Sequence, residues 1–414
     1  MQIDDLIGKR VAGLFSGGLD STTIVNWLSR QGVEVVSLTV DLGQPDEKNM
    51  DDIVRRMRAA GAVEAYVLDG KKLLAEYMMQ VIQGLGHHEG GYMNTTGIAR
   101  MATVKLALEK MKELELDVLV HGATGRGNDQ VRFELATAHL TGGVTVYAPW
   151  RDVKFKTVFG GRKEMIEYCQ RMKLEISATL DKPYSTDANF CGLTHEAGKL
   201  ESIEEAPDYV NFLMGAKVQR ALDIEEIVTV EFSQGIPMAA NGLFNGDLVE
   251  VFYSLNKIAG RNGVGIGIDV VENRFVCIKS RGLYESPAAT LLEIMYKKLL
   301  QLIMDRERRK FFEGVSRQWA DIIYEGKFYS PLAGDLWAVI ANVARQVSGK
   351  LTYTLYKGNA IFVSAERVVC SLYDSDRSSM ENVGEFDHLD AQGFLNVLTV
   401  TARAQRSAGQ TRKI

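Results

Sequence analysis

The chain has 414 residues and a formal net charge of −5, from 48 basic and 53 acidic residues spread along its length. This length predicts two or three domains with enough apolar residues for a core. The acidic balance disfavours nucleic-acid binding, which needs a broad basic surface, and favours small-molecule substrates. Asp4 and Asp5 stand where a signal peptide would be basic, and no apolar run is long enough to cross a membrane. We therefore expect a cytoplasmic protein that binds neither nucleic acid nor membranes.

The four cysteines lie far apart in the sequence and form no C-x-x-C pair. They are Cys169, Cys191, Cys277 and Cys370. Such spacing suits a reducing compartment and disfavours zinc or redox chemistry. We expect scattered buried thiols and no metal site built from a dedicated set of side chains.

The first 150 residues alternate strand-like and helix-like patterns. Predicted strands cover 11–15, 33–40, 64–68, 118–121 and 144–148, with a helix between the first two and another at 48–60 that ends before Gly61. This alternation is typical of a doubly wound parallel sheet, whose ligands bind beyond the carboxyl ends of the strands. The loops after Phe15, Val40 and His121 are therefore the predicted binding loops.

The second half of the chain has longer β segments mixed with helices, which indicates an α+β domain with antiparallel sheet. Predicted strands cover 227–232 and 274–280, a hairpin covers 351–363 with its turn at 357–359, and helices cover 248–258, 291–304 and 390–404. The last helix follows a polar stretch. It either reaches a neighbouring subunit or packs on its own domain.

A glycine-rich string at 16–22, Ser-Gly-Gly-Leu-Asp-Ser-Thr, lies where the first strand ends and the first helix begins. Glycines let the backbone approach a ligand, and the hydroxyls and free N–H groups at a helix N-terminus donate hydrogen bonds to an anion. The string lacks the lysine of G-x-x-x-x-G-K-[ST] and the spacing of G-x-G-x-x-G. We interpret it as a phosphate-binding loop. The alternative is a tight turn with Asp20 or Ser21 as the helix N-cap, and Asp20 either binds magnesium or only caps the helix.

A second polar string follows the fourth predicted strand and covers 122–134. Three glycines free its backbone, and four polar side chains can together bind the ammonium and carboxylate groups of an amino acid: Thr124, Asn128, Asp129 and Arg132. The alternative is a polar surface loop whose charges face water. We predict a binding loop for a zwitterion that opens into the same cleft as the phosphate loop.

These strings carry a family resemblance. The first resembles the pyrophosphate loop of the ATP pyrophosphatase (PP-loop) superfamily, and 121–134 resembles the hallmark of the argininosuccinate synthase family, with Arg126 where lysine is usual. Further blocks resemble the family in its own order, at 41–44, 148–152, 182–189, 271–275 and 279–285. The resemblance covers roughly residues 10 to 400. It implies an ATP-dependent ligase of arginine biosynthesis that joins citrulline to aspartate through a citrullyl-adenylate.

The same resemblance implies how the chain is divided. A doubly wound parallel-sheet nucleotide-binding domain, of the adenine nucleotide α-hydrolase type, would occupy 1–170. An α+β synthetase domain for citrulline and aspartate would occupy 171–377, and a C-terminal oligomerisation helix and tail would occupy 378–414. The family is expected to form homotetramers in which the C-terminal helix exchanges between subunits.

Carried over position by position, the resemblance implies three groups of binding residues. ATP would be held by Leu14, Phe15, Ser16, Gly17, Gly18, Leu19, Asp20, Ser21, Thr22, Val40, Gly122, Thr124, Asp129 and Asp187. Aspartate would be held by Thr124, Asn128 and Asp129. Citrulline would be held by Tyr92, Asn128, Arg132, Ser185, Thr194, Glu196, Glu272 and Tyr284. The catalytic positions would be Ser16, Asp20, Ser21 and Asp129, and the cofactors ATP and Mg²⁺.

The implied mechanism has two steps. The ureido oxygen of citrulline attacks the α-phosphate of ATP in line, while the 16–22 loop and Mg²⁺ stabilise the departing pyrophosphate. The amino group of aspartate then displaces AMP. Arg132 suits an α-carboxylate, Glu196 and Glu272 suit an α-ammonium, and Asp129 is a candidate partner for the ammonium of aspartate. No covalent enzyme intermediate is needed, and the general base stays unassigned.

Three positions depart from the common family pattern. Gly97 replaces a serine that would touch citrulline, Thr194 keeps a hydroxyl but adds a methyl, and Val40 replaces the usual alanine and should crowd the adenine. These departures leave open a related enzyme that adenylates another ureido or carboxyl compound. A tRNA-modifying pyrophosphatase is a further alternative, disfavoured because the sequence has neither a basic patch nor paired cysteines. A non-catalytic ATP-binding protein would not need the long second half of the chain.

Overall fold

A computed structural model describes residues 1–47, 49–176, 184–244, 247–381, 385 and 387–412. The chain forms a first part around one parallel sheet, a second part with two antiparallel sheets, and a final helix. The predicted fold class is therefore confirmed. Lys182 and Pro183, which begin one of the family-like blocks, lie outside the described residues.

The first part contains five parallel strands in the order β3-β2-β1-β4-β5. The strands are β1 (Arg10–Leu14), β2 (Glu34–Asp41), β3 (Glu64–Asp69), β4 (Val118–His121) and β5 (Thr145–Tyr147). The helices are α1 (Leu19–Arg30), α2 (Met50–Ala59), α3 (Lys71–Gln83), α4 (Thr95–Glu113), α5 (Asp129–Leu140), α6 (Val153–Val158) and α7 (Arg162–Arg171). The chain order reverses between the neighbouring strands β1 and β4, and ligands of such sheets bind at the carboxyl ends beside that reversal.

Local sequence signals explain the first elements. β2 is buried at six consecutive positions, as expected for a parallel strand that is covered by helices on both faces. α1 buries Ile24 and Leu28, one turn apart, against the sheet. The side chain of Asn49 caps α2 by accepting a 3.0 Å hydrogen bond from the N–H of Asp51. Gly61, just past the end of α2, has a φ of +111°, so the predicted helix end is confirmed.

The second part contains two antiparallel sheets, in the orders β10-β9-β8-β13-β14 and β11-β12-β7-β6. The strands are β6 (Ser185–Asn189), β7 (Gly192–Glu196), β8 (Glu226–Ser233), β9 (Ile236–Ala240), β10 (Leu243–Phe244), β11 (Ile266–Asn273), β12 (Lys279–Glu285), β13 (Gly349–Tyr356) and β14 (Asn359–Glu366). The helices are α8 (Leu248–Arg261), α9 (Pro287–Ile303), α10 (Arg306–Tyr324), α11 (Pro331–Ala344) and α12 (His388–Ser407). α3 of the first part packs against α8 and α9, so one apolar core extends through both parts.

The hairpin at 351–363 is confirmed. Its turn consists of Lys357 and Gly358, whose φ angles are +46° and +80°. Two successive positive φ angles are the requirement of the tight turn that best matches the twist of paired strands.

The predicted strand at 274–280 is wrong. Residues 274–278 form the loop between β11 and β12, and only Lys279 and Ser280 belong to a strand. Phe275 is 45 % exposed, Ile278 is 79 % exposed, and Cys277 has a φ of +90°. The aromatic and β-branched residues that suggested a strand therefore lie on a turn that faces solvent.

The cysteine expectation is only half correct. Cys169 and Cys191 are buried, whereas Cys277 and Cys370 are exposed. Both exposed cysteines have positive φ angles and lie outside the helices and strands that pack to form the core.

The final helix, α12, does not pack on its own domain, so that alternative is wrong. None of its residues is buried, and the exposed fractions of Leu389, Phe394 and Val397 are 77 %, 66 % and 72 %. Across the part of the chain that the structure describes, no helix is both long and apolar enough to cross a membrane.

Candidate active site

A cavity of about 690 Å³ opens beyond the carboxyl ends of β1 and β4. Ser16 and Ser21 of the phosphate loop line it together with Thr124 and Asn128 of the second polar string. Side chains from β7, β11 and β12 complete its wall. The structure therefore brings the two strings into one cleft, as the sequence predicts.

The phosphate loop has the geometry of an anion site. Gly18 is the N-cap of α1 and no side chain caps the helix, so the alternative with Asp20 or Ser21 as N-cap is wrong. Gly17 has a φ of +75°, which favours glycine. The N–H of Ser16 donates to Oγ of Ser21 at 3.1 Å. The first N–H groups of a helix have no partner within the helix, so they point to the place where an anion would bind.

Asp20 lies inside this loop and lines the cavity. Its Oδ1 accepts a 3.3 Å hydrogen bond from Nε1 of Trp150, and burial raises the pKa of its carboxyl. Thr22 is buried, and its hydroxyl has no hydrogen-bond partner among the described residues. Leu19 and Thr22 do not line the cavity, although both were expected to contact ATP.

Two guanidinium groups hold Asp129, the first residue of α5. Nε of Arg100 donates to its Oδ2 at 2.8 Å, and Nη1 of Arg132 donates to its Oδ1 at 2.8 Å. Arg100 also pairs with Asp187 and so joins the first part of the chain to β6. Burial raises the pKa of Asp129, but the two cations outweigh burial and lower it to about 2. Asp129 is therefore ionised at neutral pH.

Asp187 has the opposite shift. Burial is the main cause and the nearby Asp129 carboxylate adds to it, so the pKa of Asp187 is raised despite the attraction of Arg100. The two carboxylates share one guanidinium, and the one with the second cation keeps its charge more easily.

Aromatic side chains build the end of the cavity in the second part. The rings of Tyr92 and Tyr284 stack with their centroids 4.2 Å apart. The hydroxyl of Tyr284 donates to Oε1 of Glu272 at 2.9 Å. Oε2 of Glu272 is buried and accepts no hydrogen bond from any residue that the structure describes. A buried carboxylate oxygen without a donor is a suitable acceptor for a ligand ammonium.

Glu196, at the end of β7, is a second free acceptor in this cavity. Its side chain makes no hydrogen bond or ion pair within the described ranges. Burial, and then repulsion from Asp129 and Asp187, raise the pKa of Glu196 to about 7. A positively charged ligand group would favour the ionised carboxylate.

Two of the three departures from the family pattern, Gly97 and Thr194, lie beside this end. A Cβ atom on Gly97 would be 3.1 Å from the carbonyl oxygen of Ile323 and 3.6 Å from Nη2 of Arg132. Gly97 therefore allows α10 to pack closely and leaves no open gap on that side. The hydroxyl of Thr194 lies 3.2 Å from the hydroxyl of Thr96.

Most of the expected site residues line the cavity. They are Leu14, Phe15, Ser16, Gly17, Gly18, Asp20, Ser21, Val40, Tyr92, Gly122, Thr124, Asn128, Asp129, Arg132, Asp187, Thr194, Glu196, Glu272 and Tyr284. Three expected residues do not line the cavity: Leu19, Thr22 and Ser185. Ser185 is exposed, and the residue after it, Thr186, lines the cavity instead.

Sequence reasoning missed several lining residues, including Arg56, Arg100 and Tyr324. For Arg100 a signal exists, because α4 places Thr96, Arg100 and Thr103 on one face at helical spacing, and all three line the cavity. For Arg56 no such pattern is visible, since its helix is rich in arginine.

The fold and the site together define a nucleotide-dependent enzyme that acts on amino acids. An anion loop lies at the order reversal of a parallel sheet, and guanidinium and carboxylate groups suited to zwitterions lie in the same cavity.

Comparison with known proteins identifies the family. The Arginosuccinate synthase N-terminal HUP domain matches residues 10–175, and the Arginosuccinate synthase C-terminal domain matches residues 184–405. The chain is 41 % identical over 393 residues to an argininosuccinate synthase of Rhodopirellula baltica, covering 94 % of this chain and 96 % of the relative. Identity is 37 % over 391 residues to that of Aquifex aeolicus, with coverages of 94 % and 96 %. For Thermotoga petrophila it is 36 % over 394 residues, with 94 % and 95 %.

The chain therefore belongs to the argininosuccinate synthase family, as the resemblance of its motifs predicts. This family consists of ATP-dependent ligases of arginine biosynthesis that use ATP, citrulline and aspartate as substrates.

Proposed function

We propose that this cavity carries out the family reaction, in which ATP, citrulline and aspartate give argininosuccinate, AMP and pyrophosphate. The observation that carries the proposal is the shared cleft, because the phosphate loop and the amino-acid residues line the same 690 Å³ space. A ureido oxygen must reach the α-phosphate, so the two sites have to be continuous.

ATP would bind at the parallel sheet. Ser16, Ser21 and the backbone of Gly17 and Gly18 would hold the phosphates, and Val40 and Gly122 would border the nucleoside. Asp187 would contact the same nucleotide from β6. Three of the expected contact residues do not line the cavity: Leu19, Thr22 and Ser185. We propose that they hold the neighbouring cavity-lining residues in place and do not touch a substrate.

Aspartate would bind next to Thr124, Asn128 and Asp129. Because the pKa of Asp129 is lowered to about 2, it stays ionised and can accept from the ammonium of aspartate. Arg100, adjacent to it, would offset the carboxylate charges of this substrate.

Citrulline would bind in the aromatic end of the cavity. Arg132 would pair with its α-carboxylate, and Oε2 of Glu272 and the carboxylate of Glu196 would accept from its α-ammonium. The citrulline side chain would be bordered by four residues of the cavity wall: Tyr92, Tyr284, Thr194 and Asn128. The ureido group would then extend towards the phosphate loop.

The chemistry would need positioning and charge stabilisation. In the first step a bond forms between the ureido oxygen and the α-phosphorus while the bond to the β-phosphate bridging oxygen breaks. The 16–22 loop stabilises the leaving pyrophosphate. In the second step the aspartate amine, once deprotonated, attacks the ureido carbon and AMP leaves. Ser16 and Ser21 would orient phosphate oxygens, and Asp129 would orient the amine.

Mg²⁺ fits the donor chemistry of the phosphate loop. Asp20 offers a cavity-lining carboxylate there, and carboxylate and phosphate oxygens are the ligands that Mg²⁺ prefers. The described ranges hold no cluster of three or more histidine, cysteine, aspartate or glutamate side chains suited to a metal. The ion would therefore take most of its ligands from phosphates and water, and when bound it would neutralise phosphate charge.

We further propose that residues 1–170, 171–377 and 378–414 act as nucleotide-binding domain, synthetase domain and oligomerisation arm in a cytoplasmic homotetramer. The exposed apolar face of α12 supports the last assignment, since none of the residues of that helix is buried.

The experiment that tests the activity measures pyrophosphate and AMP release from ATP with citrulline, with and without aspartate. We expect release to depend on citrulline and argininosuccinate to form only when aspartate is added. Absence of citrulline-dependent release, with release on another ureido or carboxyl compound, would replace this proposal with a different acceptor.

A further inference from the structure

The phosphate loop lacks a basic side chain of its own. Phosphate loops of the G-x-x-x-x-G-K-[ST] type place a lysine against the leaving phosphates, whereas residues 16–22 contain no lysine or arginine. A helix N-terminus contributes only about half a positive charge, and pyrophosphate leaves with several negative charges. A cationic side chain from elsewhere in the chain would add to the charge that Mg²⁺ neutralises.

Arg56, on α2, lies against this loop. A Cβ atom placed on Gly17 would be 3.3 Å from Nη2 of Arg56 and 2.9 Å from a methyl carbon of Ile53. α2 therefore packs directly on the turn that forms the anion site. Arg56 also lines the cavity, and its side chain is only 11 % exposed.

The guanidinium of Arg56 is held in place but not saturated. Its Nη2 donates to Oε2 of Glu47 at 3.0 Å, and its Nε donates to the carbonyl oxygen of Asp52 at 3.3 Å. Nη1 makes no hydrogen bond to any residue that the structure describes. A guanidinium has five N–H donors, so Arg56 is oriented by these two hydrogen bonds and still has donors that can bind phosphate oxygens.

The other arginines that line the cavity have different surroundings. Arg100 and Arg132 are paired with Asp129 beside the second polar string. Arg274 belongs to the loop after β11 and acts electrostatically on Glu196. Of these cations, Arg56 is the one that the described contacts place on the phosphate loop.

We propose that Arg56 binds the pyrophosphate as it leaves and supplies the cation that the 16–22 loop lacks. This inference rests on the proposed adenylation in the same cavity. As the ureido oxygen bonds to the α-phosphorus, the electron pair of the breaking P–O bond stays on the β-phosphate oxygen. Arg56 stabilises that added negative charge, and no proton has to move in this step.

The test compares Arg56→Gln with Arg55→Gln on the full-length chain. Arg55 is the neighbouring residue on α2, but its side chain is 56 % exposed, pairs with Glu175 and does not line the cavity. Binding of inorganic pyrophosphate with Mg²⁺ is measured by calorimetry, and inhibition by pyrophosphate is measured against ATP. Loss of a charge-assisted hydrogen bond should weaken pyrophosphate binding roughly 10- to 150-fold in Arg56→Gln. Arg55→Gln should match the unaltered chain.

A third variant, Glu47→Gln, separates binding from a structural role. If Arg56 only tied the 42–47 segment to α2, Glu47→Gln would weaken pyrophosphate binding as much as Arg56→Gln does. If Arg56 binds pyrophosphate, Glu47→Gln should leave that binding equal or tighter, because a competing carboxylate is removed. Citrulline binding and the melting temperature report whether each variant is folded, and Arg56→Lys should retain part of the affinity if Arg56→Gln unfolds.

Unchanged pyrophosphate affinity in folded Arg56→Gln, or an equal loss in Glu47→Gln, would overturn the role of Arg56. Failure of the proposed function would be seen in a different measurement. No citrulline-dependent AMP would then form even with the unaltered chain, whereas the pyrophosphate affinities of the variants would still test the role of Arg56.

Discussion

Replacing Arg100 with glutamine tests the charge network at the centre of the site. Its guanidinium pairs with Asp129 and Asp187, and the exposed fractions of the three side chains are 20 %, 26 % and 28 %. At this burial the ion pairs are only partly screened by water. Arg100→Gln keeps most of the side-chain volume and removes the charge, so its main effect should be electrostatic.

The magnitude follows from the pKa of Asp129. The shift from 3.8 to about 2 corresponds to about 2 kcal/mol of stabilisation, which Arg100 shares with Arg132. Asp187 also loses its cation, so we expect Arg100→Gln to lower the free energy of unfolding by about 1–3 kcal/mol at pH 7. A shift of the aspartate subsite by about 1 Å would lower kcat/KM for aspartate about 100-fold.

The pH dependence gives the sign of the effect. The folded-state pKa of Asp129 lies below its ordinary value, so its contribution to stability is complete above about pH 4 and is lost as the pH falls towards 2. The stability difference between the unaltered chain and Arg100→Gln should therefore be largest at neutral pH. It should shrink as the pH falls, first where Asp187, whose pKa is raised, takes up a proton and then where Asp129 does.

Urea unfolding at several pH values and steady-state kinetics with aspartate measure both effects. Lys112→Gln is the matched control, because Lys112 lies on the same helix, α4, and is exposed away from the cavity. If Arg100→Gln and Lys112→Gln had the same stability and the same kcat/KM for aspartate, the network would have no role in binding and the reasoning would be refuted.

Three further predictions concern other parts of the molecule. Glu196→Gln should raise the KM for citrulline. It should also stabilise the free protein at pH 8 but not at pH 4, because the pKa of Glu196 is raised to about 7 and its ionisation therefore destabilises the folded chain as the pH rises. Urea unfolding at both pH values measures this difference. Gly97→Ala should lower the melting temperature and reduce the free energy of unfolding by about 1 kcal/mol, because the added Cβ would lie only 3.1 Å from the carbonyl oxygen of Ile323. An unchanged melting temperature would show that α10 can shift away from the added methyl group without cost. Removing residues 385–414 should reduce the oligomer mass in light scattering, and a truncated chain that stays tetrameric would contradict the role of α12.

Elements encoded by local chemistry were predictable from the sequence. The end of α2 at Gly61 and the turn at Lys357 and Gly358 need positive φ angles, which the residue types themselves indicate. The loop at 274–278 was missed because its apolar residues resemble a strand, and only the three-dimensional course of the chain shows that they face solvent. A local pattern cannot distinguish an apolar turn from an apolar strand.

The site was predictable in part for a different reason. The phosphate loop and the 122–134 string are continuous in sequence, so their chemistry is visible there. Arg100 was missed because its role depends on Asp129 and Asp187, which lie 29 and 87 positions away in the chain. Pairing between such distant residues is set by tertiary packing, which a single sequence does not contain.

Asn128 shows why the two parts of the chain cannot be treated as separate binding units. Its Oδ1 accepts a 3.0 Å hydrogen bond from the N–H of Val276, so a side chain of the nucleotide-binding part holds the loop between β11 and β12. Arg274 in that loop lines the cavity, beside the citrulline end. One lone pair of the Asn128 oxygen thus joins the parts, and its second lone pair and its NH₂ group remain for a substrate. Loss of activity after substitution of Asn128 would therefore report closure of the site as well as a substrate contact.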